Sequence, residues 1–136
     1  MSGKLIIVIG PMFSGKTTYL IKELSYLHNL TIPILAVNHT LDKRYTETPQ
    51  LHTHDGKQMD AVSIEDLSSL FNTDQYKNAK VIGIDEGNFF KNLERDVLTM
   101  VEEHHKTVYV CGLSGSYKRT HFGDLHNLIP YADNIM

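Results

Sequence analysis

Short apolar runs alternate along this chain with segments whose apolar residues recur at helical spacing. The run at 5–9 is continuous and rich in β-branched side chains, which is typical of a strand buried on both faces. The segment 16–28 places three leucines on one face of a helix: Leu20, Leu24 and Leu27. The chain therefore begins with a predicted buried strand and an amphipathic helix.

The same alternation continues through the rest of the sequence. Apolar runs predict further strands at 31–37, 80–84 and 107–113. A helix is predicted from about Asn92, between the last two strands, and its apolar face has four members: Leu93, Val97, Met100 and Val101.

The segment after the second predicted strand is polar at first and helical later. Residues 38–60 predict a long loop, with room for a hairpin, that carries three histidines: His39, His52 and His54. Histidines could indicate a metal site, but no carboxylate or cysteine completes a ligand set at regular spacing. Residues 63–66 then fit a capping box, which predicts a short helix through Phe71.

Strands that alternate with helices, with a glycine-rich turn after the first strand, predict an α/β fold. We expect a P-loop core in which a parallel sheet has helices on both faces. The chain of 136 residues is long enough for one core, so a single domain is predicted over 1–136. Ligands bind such sheets at the carboxyl ends of the strands, where 10–17, 85–86 and the residues after Leu113 would meet.

Composition excludes several classes of function. The net charge is −3 and the cations are scattered, so no basic stripe favours a nucleic-acid partner. No apolar stretch approaches the roughly 20 residues of a membrane span, and no signal-like segment is seen, which predicts a cytoplasmic protein with no membrane partner. The one cysteine, Cys111, is predicted to be a buried core residue rather than a reactive thiol. A single cysteine also excludes a four-cysteine zinc site.

The turn between the first strand and the first helix carries the strongest chemical pattern. It fits Gly, four residues, Gly-Lys-Ser/Thr, the pattern of a phosphate-binding loop, over Gly10, Pro11, Met12, Phe13, Ser14, Gly15, Lys16 and Thr17. Glycines allow backbone N–H groups to surround a polyphosphate, and the helix N-terminus adds positive partial charge. Lys16 would neutralise phosphate oxygens and Thr17 would bind Mg²⁺. The alternative, a chance glycine-rich turn, is disfavoured by the flanking strand and helix.

A second candidate lies at the end of the strand at 80–84, where Asp85 and Glu86 follow the apolar run. In phosphate-loop proteins a carboxylate at this place holds Mg²⁺, directly or through water. Because neighbouring strand residues alternate sides, Glu86 is predicted to face away from Asp85 and to act on an acceptor hydroxyl as a base. The alternative is a solvated strand end.

Two other segments could contribute to a binding pocket. Residues 114–123 combine glycines with an aromatic ring and two cations, which suits base stacking and anion contacts but equally suits a surface turn. The apolar pairs at 12–13 and 89–90 could line an aromatic pocket or belong to the core.

Five motifs, in collinear order over nearly the whole chain, resemble the type II thymidine kinases of animals, bacteria and poxviruses. They are the phosphate loop at 10–17, Asp-Lys-Arg-Tyr at 42–45, Thr-His-Asp-Gly at 53–56, Val-Ile-Gly-Ile-Asp-Glu-Gly-Asn-Phe-Phe at 81–90, and the segment 112–130, which ends in Leu-Ile-Pro.

The resemblance implies ATP and Mg²⁺ as cofactors and thymidine as the substrate. It makes Glu86 the general base for the 5′-hydroxyl and ties Asp85 to Mg²⁺. Residues implied at the ATP and Mg²⁺ site, besides these two and the phosphate loop, are Asp42, Lys43, Arg44, Gly87 and Asn88. Those implied around the thymine are Met12, Phe89, Leu113 and Tyr117, the last replacing a family phenylalanine. A cytoplasmic homo-oligomer, dimer or tetramer, is implied as well.

The chain also departs from the family pattern. Family members continue past Leu-Ile-Pro with a further strand, a zinc domain with four cysteines and a lasso loop that grips the thymine. This sequence ends at Met136, so we expect no zinc ligands, no lasso and an unpaired sheet edge. Ser114 replaces an acid common in the family.

Three hypotheses follow. The first is an ATP-dependent thymidine kinase, motivated by the phosphate loop, Asp85–Glu86 and the Tyr117 loop together. The second is a nucleotide-binding module without catalysis, motivated by the missing lasso. The third is a kinase of another deoxynucleoside, because the family's base selectivity belongs mostly to the missing segment.

Overall fold

The strands and helices follow the predicted alternation. The computed structural model describes residues 3–10, 16–39, 50–52, 58–113, 125 and 127–135. The strands of this part are β1 (Lys4–Gly10), β2 (Ile34–His39), β3 (Gln50–His52), β4 (Gln58–Asp60), β5 (Val62–Ile64), β6 (Val81–Ile84), β7 (Thr107–Leu113) and β8 (Asn134–Ile135). The helices are α1 (Lys16–Asn29), α2 (Asp74–Asn78) and α3 (Leu93–Leu98). Short 3₁₀ helices lie at Leu67–Leu70, Gly87–Phe89 and Ile129–Tyr131, and a π-helical turn lies at Thr99–Glu103.

Six of the strands form one parallel sheet in the order β5-β2-β6-β7-β1-β8. Lys4 pairs with Thr107 at the start of β1, and Gly10 pairs with Leu113 at its end. The carboxyl ends of β1, β7 and β6 therefore lie side by side, as predicted. β3 and β4 form a separate antiparallel hairpin within residues 38–60, where the sequence predicted a long loop with room for a hairpin.

Helices cover both faces of this sheet, which confirms the predicted α/β fold. The apolar cluster on the α1 face includes Val8, Leu20, Leu24 and Cys111. The cluster on the opposite face includes Ile7, Leu93, Val97 and Met100. The strands are apolar throughout because both of their faces are buried. In the described part of the chain, no helix has the length and apolar character that crossing a membrane requires.

Gly83 of β6 allows α1 to approach the sheet closely. A Cβ built on Gly83 would lie 2.6 Å from Leu24 Cδ1 and 3.1 Å from Leu20 Cδ1. The contact between β6 and α1 therefore depends on the absence of a side chain at this position.

The capping box predicted at 63–66 is wrong. Ser63 lies within β5, opposite Asn38 of β2, and Ser63 Oγ donates a hydrogen bond to Asn38 Oδ1. The 3₁₀ helix that follows is preceded by Asp66, whose side chain makes no capping hydrogen bond. Strand pairing with β2 uses the serine that the local pattern assigned to a helix start. β2 itself includes Asn38 and His39, which were predicted to begin the loop.

Two helical features differ in detail from the pattern. α2 was not indicated by the sequence; it begins after Thr73, whose Oγ1 accepts a hydrogen bond from the Tyr76 N–H. α3 begins after Asn92, as predicted, and its last turn widens into the π-helical turn. All four residues of its predicted apolar face are buried: Leu93, Val97, Met100 and Val101.

β8, which was not predicted, pairs with β1 at one edge of the sheet. The two residues of β8 lie opposite Ile6 and Ile7. Immediately before β8, the Asp133 N–H donates to the Leu5 carbonyl at 2.8 Å, and Asp133 Oδ2 accepts from the Leu5 N–H at 2.8 Å. A strand of two residues carries too short a pattern to be recognised in a sequence.

Candidate active site

The first turn of α1 and the end of β6 meet at the carboxyl edge of the sheet. Thr17 Oγ1 lies 3.2 Å from both Asp85 Oδ1 and Asp85 Oδ2. The Asp85 side chain is 1% exposed and Lys16 is 7% exposed. The structure thus brings Thr17 and Asp85, which are far apart in the sequence, into contact at the place where the phosphate-loop pattern predicted them to meet.

Glu86 adopts a left-handed backbone conformation, with φ 52° and ψ 49°. Its N–H donates to Asp85 Oδ1 at 3.1 Å, and its side chain is buried. The strand ends at Ile84, so the predicted alternation of sides along a strand does not apply to Glu86. Because both acids are buried, the alternative of a solvated strand end is excluded.

A left-handed conformation is costly for a residue that carries a side chain, by about 1–2 kcal/mol. Strain of this kind persists only where the surroundings fix it, and it is concentrated at functional sites. Here the turn leads directly into the 3₁₀ helix Gly87–Phe89. A Cβ on Gly87 would lie 2.8 Å from Val110 Cγ1, so this helix packs tightly against β7.

Cys111 of β7 lies beneath the same group of charges. Its Sγ lies 3.9 Å from the Lys16 carbonyl oxygen, and the side chain is fully buried. Burial is the main cause that raises the pKa of the thiol; the carboxylates of Asp85 and Glu86 raise it further and Lys16 opposes them. The prediction of a core cysteine is confirmed, and its thiol is kept protonated beside the candidate site.

The two phenylalanines that follow the acids have different environments. Phe90 is 1% exposed and belongs to the core, whereas Phe89 is half-buried. The ring of His39, at the end of β2, lies 4.9 Å from that of Phe90 and 5.8 Å from that of Phe89. Phe90 is therefore a core residue, whereas a place for Phe89 in a binding pocket stays a prediction. The sequence had assigned His39 to the polar loop, and its contact with these rings was not predicted.

Asn88 directly precedes the two phenylalanines and is 6% exposed. Its Oδ1 is buried and is the one buried side-chain oxygen or nitrogen among the described residues that has no hydrogen-bond partner. A Cβ built on Gly112 would lie 3.4 Å from this oxygen and 2.5 Å from Leu125 Cδ2. Asn88 thus places an unused acceptor against the end of β7.

Several predicted site residues lie outside the described part of the chain: Pro11, Met12, Phe13, Ser14, Gly15, Asp42, Lys43, Arg44 and Tyr117. Gly10 and Leu113 are the paired final residues of β1 and β7. Within the described ranges, no group of three or more histidine, cysteine, aspartate or glutamate side chains could hold a metal ion.

Comparison with known proteins agrees with this geometry. The family model described as thymidine kinase matches residues 3–136. A thymidine kinase of Oryza sativa is 34% identical over 98% of this chain and 50% of its own length. The thymidine kinase of Yaba monkey tumor virus is 36% identical over 99% of this chain and 72% of its own, and the cytosolic thymidine kinase of Cricetulus griseus is 33% identical over 98% and 55%.

The chain spans about half the length of the plant relatives that it matches, 50% and 57%. Nearly all of its own length takes part in these matches, which include cellular and viral proteins. The chain belongs to the thymidine kinase family.

Proposed function

We propose that this chain carries the catalytic core of a thymidine kinase, which transfers the γ-phosphate of ATP to the 5′-hydroxyl of thymidine. The observation that carries the proposal is the contact between Thr17 and Asp85 at the end of the phosphate loop, with the buried Glu86 beside it. The substrate is inferred from the relatives, which are thymidine kinases by name. Thr17 and Asp85 would serve ATP, the phosphate donor, and Glu86 would serve thymidine, the phosphate acceptor.

The donor set fits Mg²⁺. A hydroxyl and a carboxylate 3.2 Å apart offer the hard oxygen ligands that this ion prefers. Thr17 and Asp85 would hold the ion, with Lys16 and the phosphate loop on the polyphosphate. When bound, the ion would supply charge neutralisation at the β- and γ-phosphate oxygens.

Glu86 is proposed as the general base. Its carboxylate would accept the proton of the 5′-hydroxyl as the bond from the 5′-oxygen to the γ-phosphorus forms and the bond from that phosphorus to the β–γ bridging oxygen breaks. ADP leaves with the electron pair of the broken bond. Because Glu86 is 7% exposed, bulk water has little access to this carboxylate.

The remaining assignments stay as the family pattern implies them. Asp42, Lys43 and Arg44 would lie near the phosphates, where a guanidinium stabilises the charge that develops in transfer. Met12, Phe89, Leu113 and Tyr117 would enclose the thymine. The half-buried position of Phe89, three residues after Glu86, supports a place at the acceptor end.

Glu86→Gln tests the proposal because it keeps the shape of the side chain and removes the base. We expect phosphate transfer from labelled ATP·Mg²⁺ to thymidine to fall by about 10²- to 10⁴-fold, with ATP binding nearly intact. Glu102→Gln, at an exposed glutamate of the π-helical turn, is the matched control. Transfer that survives in Glu86→Gln would show that another group is the base.

A nucleotide-binding module without catalysis is the second candidate, because the contact between Thr17 and Asp85 would serve the binding of ATP·Mg²⁺ without an acceptor site. It predicts that ATP·Mg²⁺ binds, that binding is lost in Lys16→Ala, and that no nucleoside is phosphorylated.

Competition between thymidine and deoxycytidine for turnover separates the thymidine kinase from a kinase of another deoxynucleoside.

The proposal includes the cellular location and the oligomeric state of this chain. Three relatives are named cytosolic thymidine kinases, which supports a cytoplasmic location for this chain. A homo-oligomer, dimer or tetramer, is a prediction that light scattering of the purified protein would measure.

A further inference from the structure

The side-chain oxygen of Asn88 is a buried hydrogen-bond acceptor that has no role in the proposed chemistry. Asn88 is 6% exposed, and its Oδ1 makes no hydrogen bond. Leaving a buried acceptor unpaired costs about 1–3 kcal/mol, and more than about nine in ten buried polar groups in proteins have a partner. A chain that retains such an atom either holds a water there or receives a donor from a ligand.

Asn88 lies close in the sequence to the proposed base. It follows Glu86 by two residues, within the 3₁₀ helix that the left-handed turn begins. Its Oδ1 lies near Gly112, which is the residue before the last one of β7.

The donor side of the site lies on the other face of the sheet. Lys16 and Thr17 begin α1, and α1 packs on the face that contains Cys111. Gly112 points to the opposite face, where the Cβ built on it meets Leu125 of the other apolar cluster. Asn88 Oδ1 is therefore separated from the phosphate-loop helix by β7.

Glycine at 112 allows close packing against β7 at this point. A Cβ there would lie 2.5 Å from Leu125 Cδ2 and 3.4 Å from Asn88 Oδ1. The side chain of Leu125 therefore fills the space that a side chain at 112 would need, and Asn88 Oδ1 lies close to the same point.

From this juxtaposition we propose that Asn88 is a specificity residue of the acceptor site, whose side-chain carbonyl accepts a hydrogen bond from an N–H or O–H of the bound nucleoside. The inference rests on the proposed function and deepens it. It assigns Asn88 to the nucleoside rather than to the ATP and Mg²⁺ site that the family pattern implied. A base imide N–H and a sugar hydroxyl share the required chemistry.

Asn88→Leu removes the acceptor with little change of volume. We expect the KM for thymidine to rise about tenfold or more, with the KM for ATP within about twofold of the wild type. Asn88→Asp retains an oxygen at the same place and is expected to bind thymidine better than Asn88→Leu does. N3-methylthymidine and 3′-deoxythymidine identify the donor. The analogue that lacks the donor group is expected to bind wild type and Asn88→Leu with equal affinity.

Gly83→Ala is the control for a general packing defect. Its Cβ would lie 2.6 Å from a leucine on the α1 face, as close as the 2.5 Å contact at Gly112 on the opposite face. This variant is expected to lower the melting temperature without changing the ratio of the two KM values.

An unchanged KM for thymidine in Asn88→Leu would overturn the inference, because the oxygen would then be merely unpaired or bound to a trapped water. A proportional rise of both KM values would overturn it too. If the wild type transfers no phosphate, the proposed function fails and the inference is decided by thermal shift. A shift with thymidine in wild type but not in Asn88→Leu supports the inference, and no shift in wild type overturns it.

Discussion

The backbone conformation of a single residue, Glu86, limits what the sequence can predict about this site. The pattern of an apolar run followed by two acids identified Asp85 and Glu86 as a pair, and the structure buries both. The direction of Glu86 could not be obtained from strand alternation, because a left-handed turn at Glu86 itself ends the regular geometry. The unpaired side-chain oxygen of Asn88 could not be predicted either, because its burial and its lack of a hydrogen-bond partner depend on residues distant in the sequence.

Tyr109 gives a pH dependence that can be measured. Burial, then the charge of Glu23 and a 3.3 Å hydrogen bond to it, raise the pKa of Tyr109 to about 12 from an ordinary value of 10.0. Below pH 10 the hydroxyl is protonated in both states. As the pH rises from 10 towards 12 the unfolded state loses the proton first, so the free energy of unfolding falls by about 1.4 kcal/mol per pH unit.

Urea unfolding at pH 9 and pH 11 checks this prediction. Between these values Tyr109→Phe is expected to lose about 1 kcal/mol less than the wild type. Tyr26→Phe, at a tyrosine that is 61% exposed, should lose as much as the wild type. Equal losses in all three proteins would contradict the assignment of the titration to Tyr109.

At the scale of elements, what the sequence predicted depends on length and periodicity. β1, β6, β7, α1 and α3 carry long apolar patterns, and each was predicted within a few residues. β5, β8 and α2 have between two and five residues, too few for a period to be recognised. The predicted capping box failed for a related reason, because the pairing of Ser63 with β2 is a long-range contact that outweighed a local preference.

α2 illustrates how contacts from elsewhere support a short helix. Lys106, just before β7, donates from Nζ to the carbonyls of Tyr76 at 2.8 Å and Ala79 at 2.6 Å, at the end of α2. The same Nζ lies 4.6 Å from the centre of the Tyr76 ring. Burial lowers the pKa of Lys106. A helix of five residues would not persist alone in water, and this cation adds hydrogen bonds to carbonyls at its C-terminal end.

Thr73→Ala tests the other end of α2. Thr73 Oγ1 accepts from the Tyr76 N–H at 3.3 Å and donates to the Leu70 carbonyl at 2.7 Å. Loss of this cap is expected to lower the free energy of unfolding by about 0.5–2 kcal/mol, measured in urea. Thr73→Ser keeps the hydroxyl and should retain most of the stability. A loss as large in Thr73→Ser as in Thr73→Ala would point to the methyl group instead.

At the scale of the whole molecule, Asp133 joins the last described strand to the first. Its carboxylate accepts from the N–H of Leu5, a residue with no exposed surface. Asp133→Ala leaves that buried N–H without a partner and is expected to cost about 1–3 kcal/mol, with faster hydrogen exchange at Leu5. Asp133→Asn retains an acceptor oxygen and should protect the Leu5 amide better. Unchanged exchange at Leu5 in Asp133→Ala would show that the carboxylate is dispensable.

The place of β1 in the sheet has a consequence for synthesis on the ribosome. β1 precedes the other strands of this chain, yet its two neighbours are β7, where Lys4 pairs with Thr107, and β8. During translation this apolar strand must therefore wait without partners, as a segment that chaperones would recognise. The strand that leads into the phosphate loop is made well before both of its neighbours, so we expect nascent chains that end before β7 to bind no nucleotide.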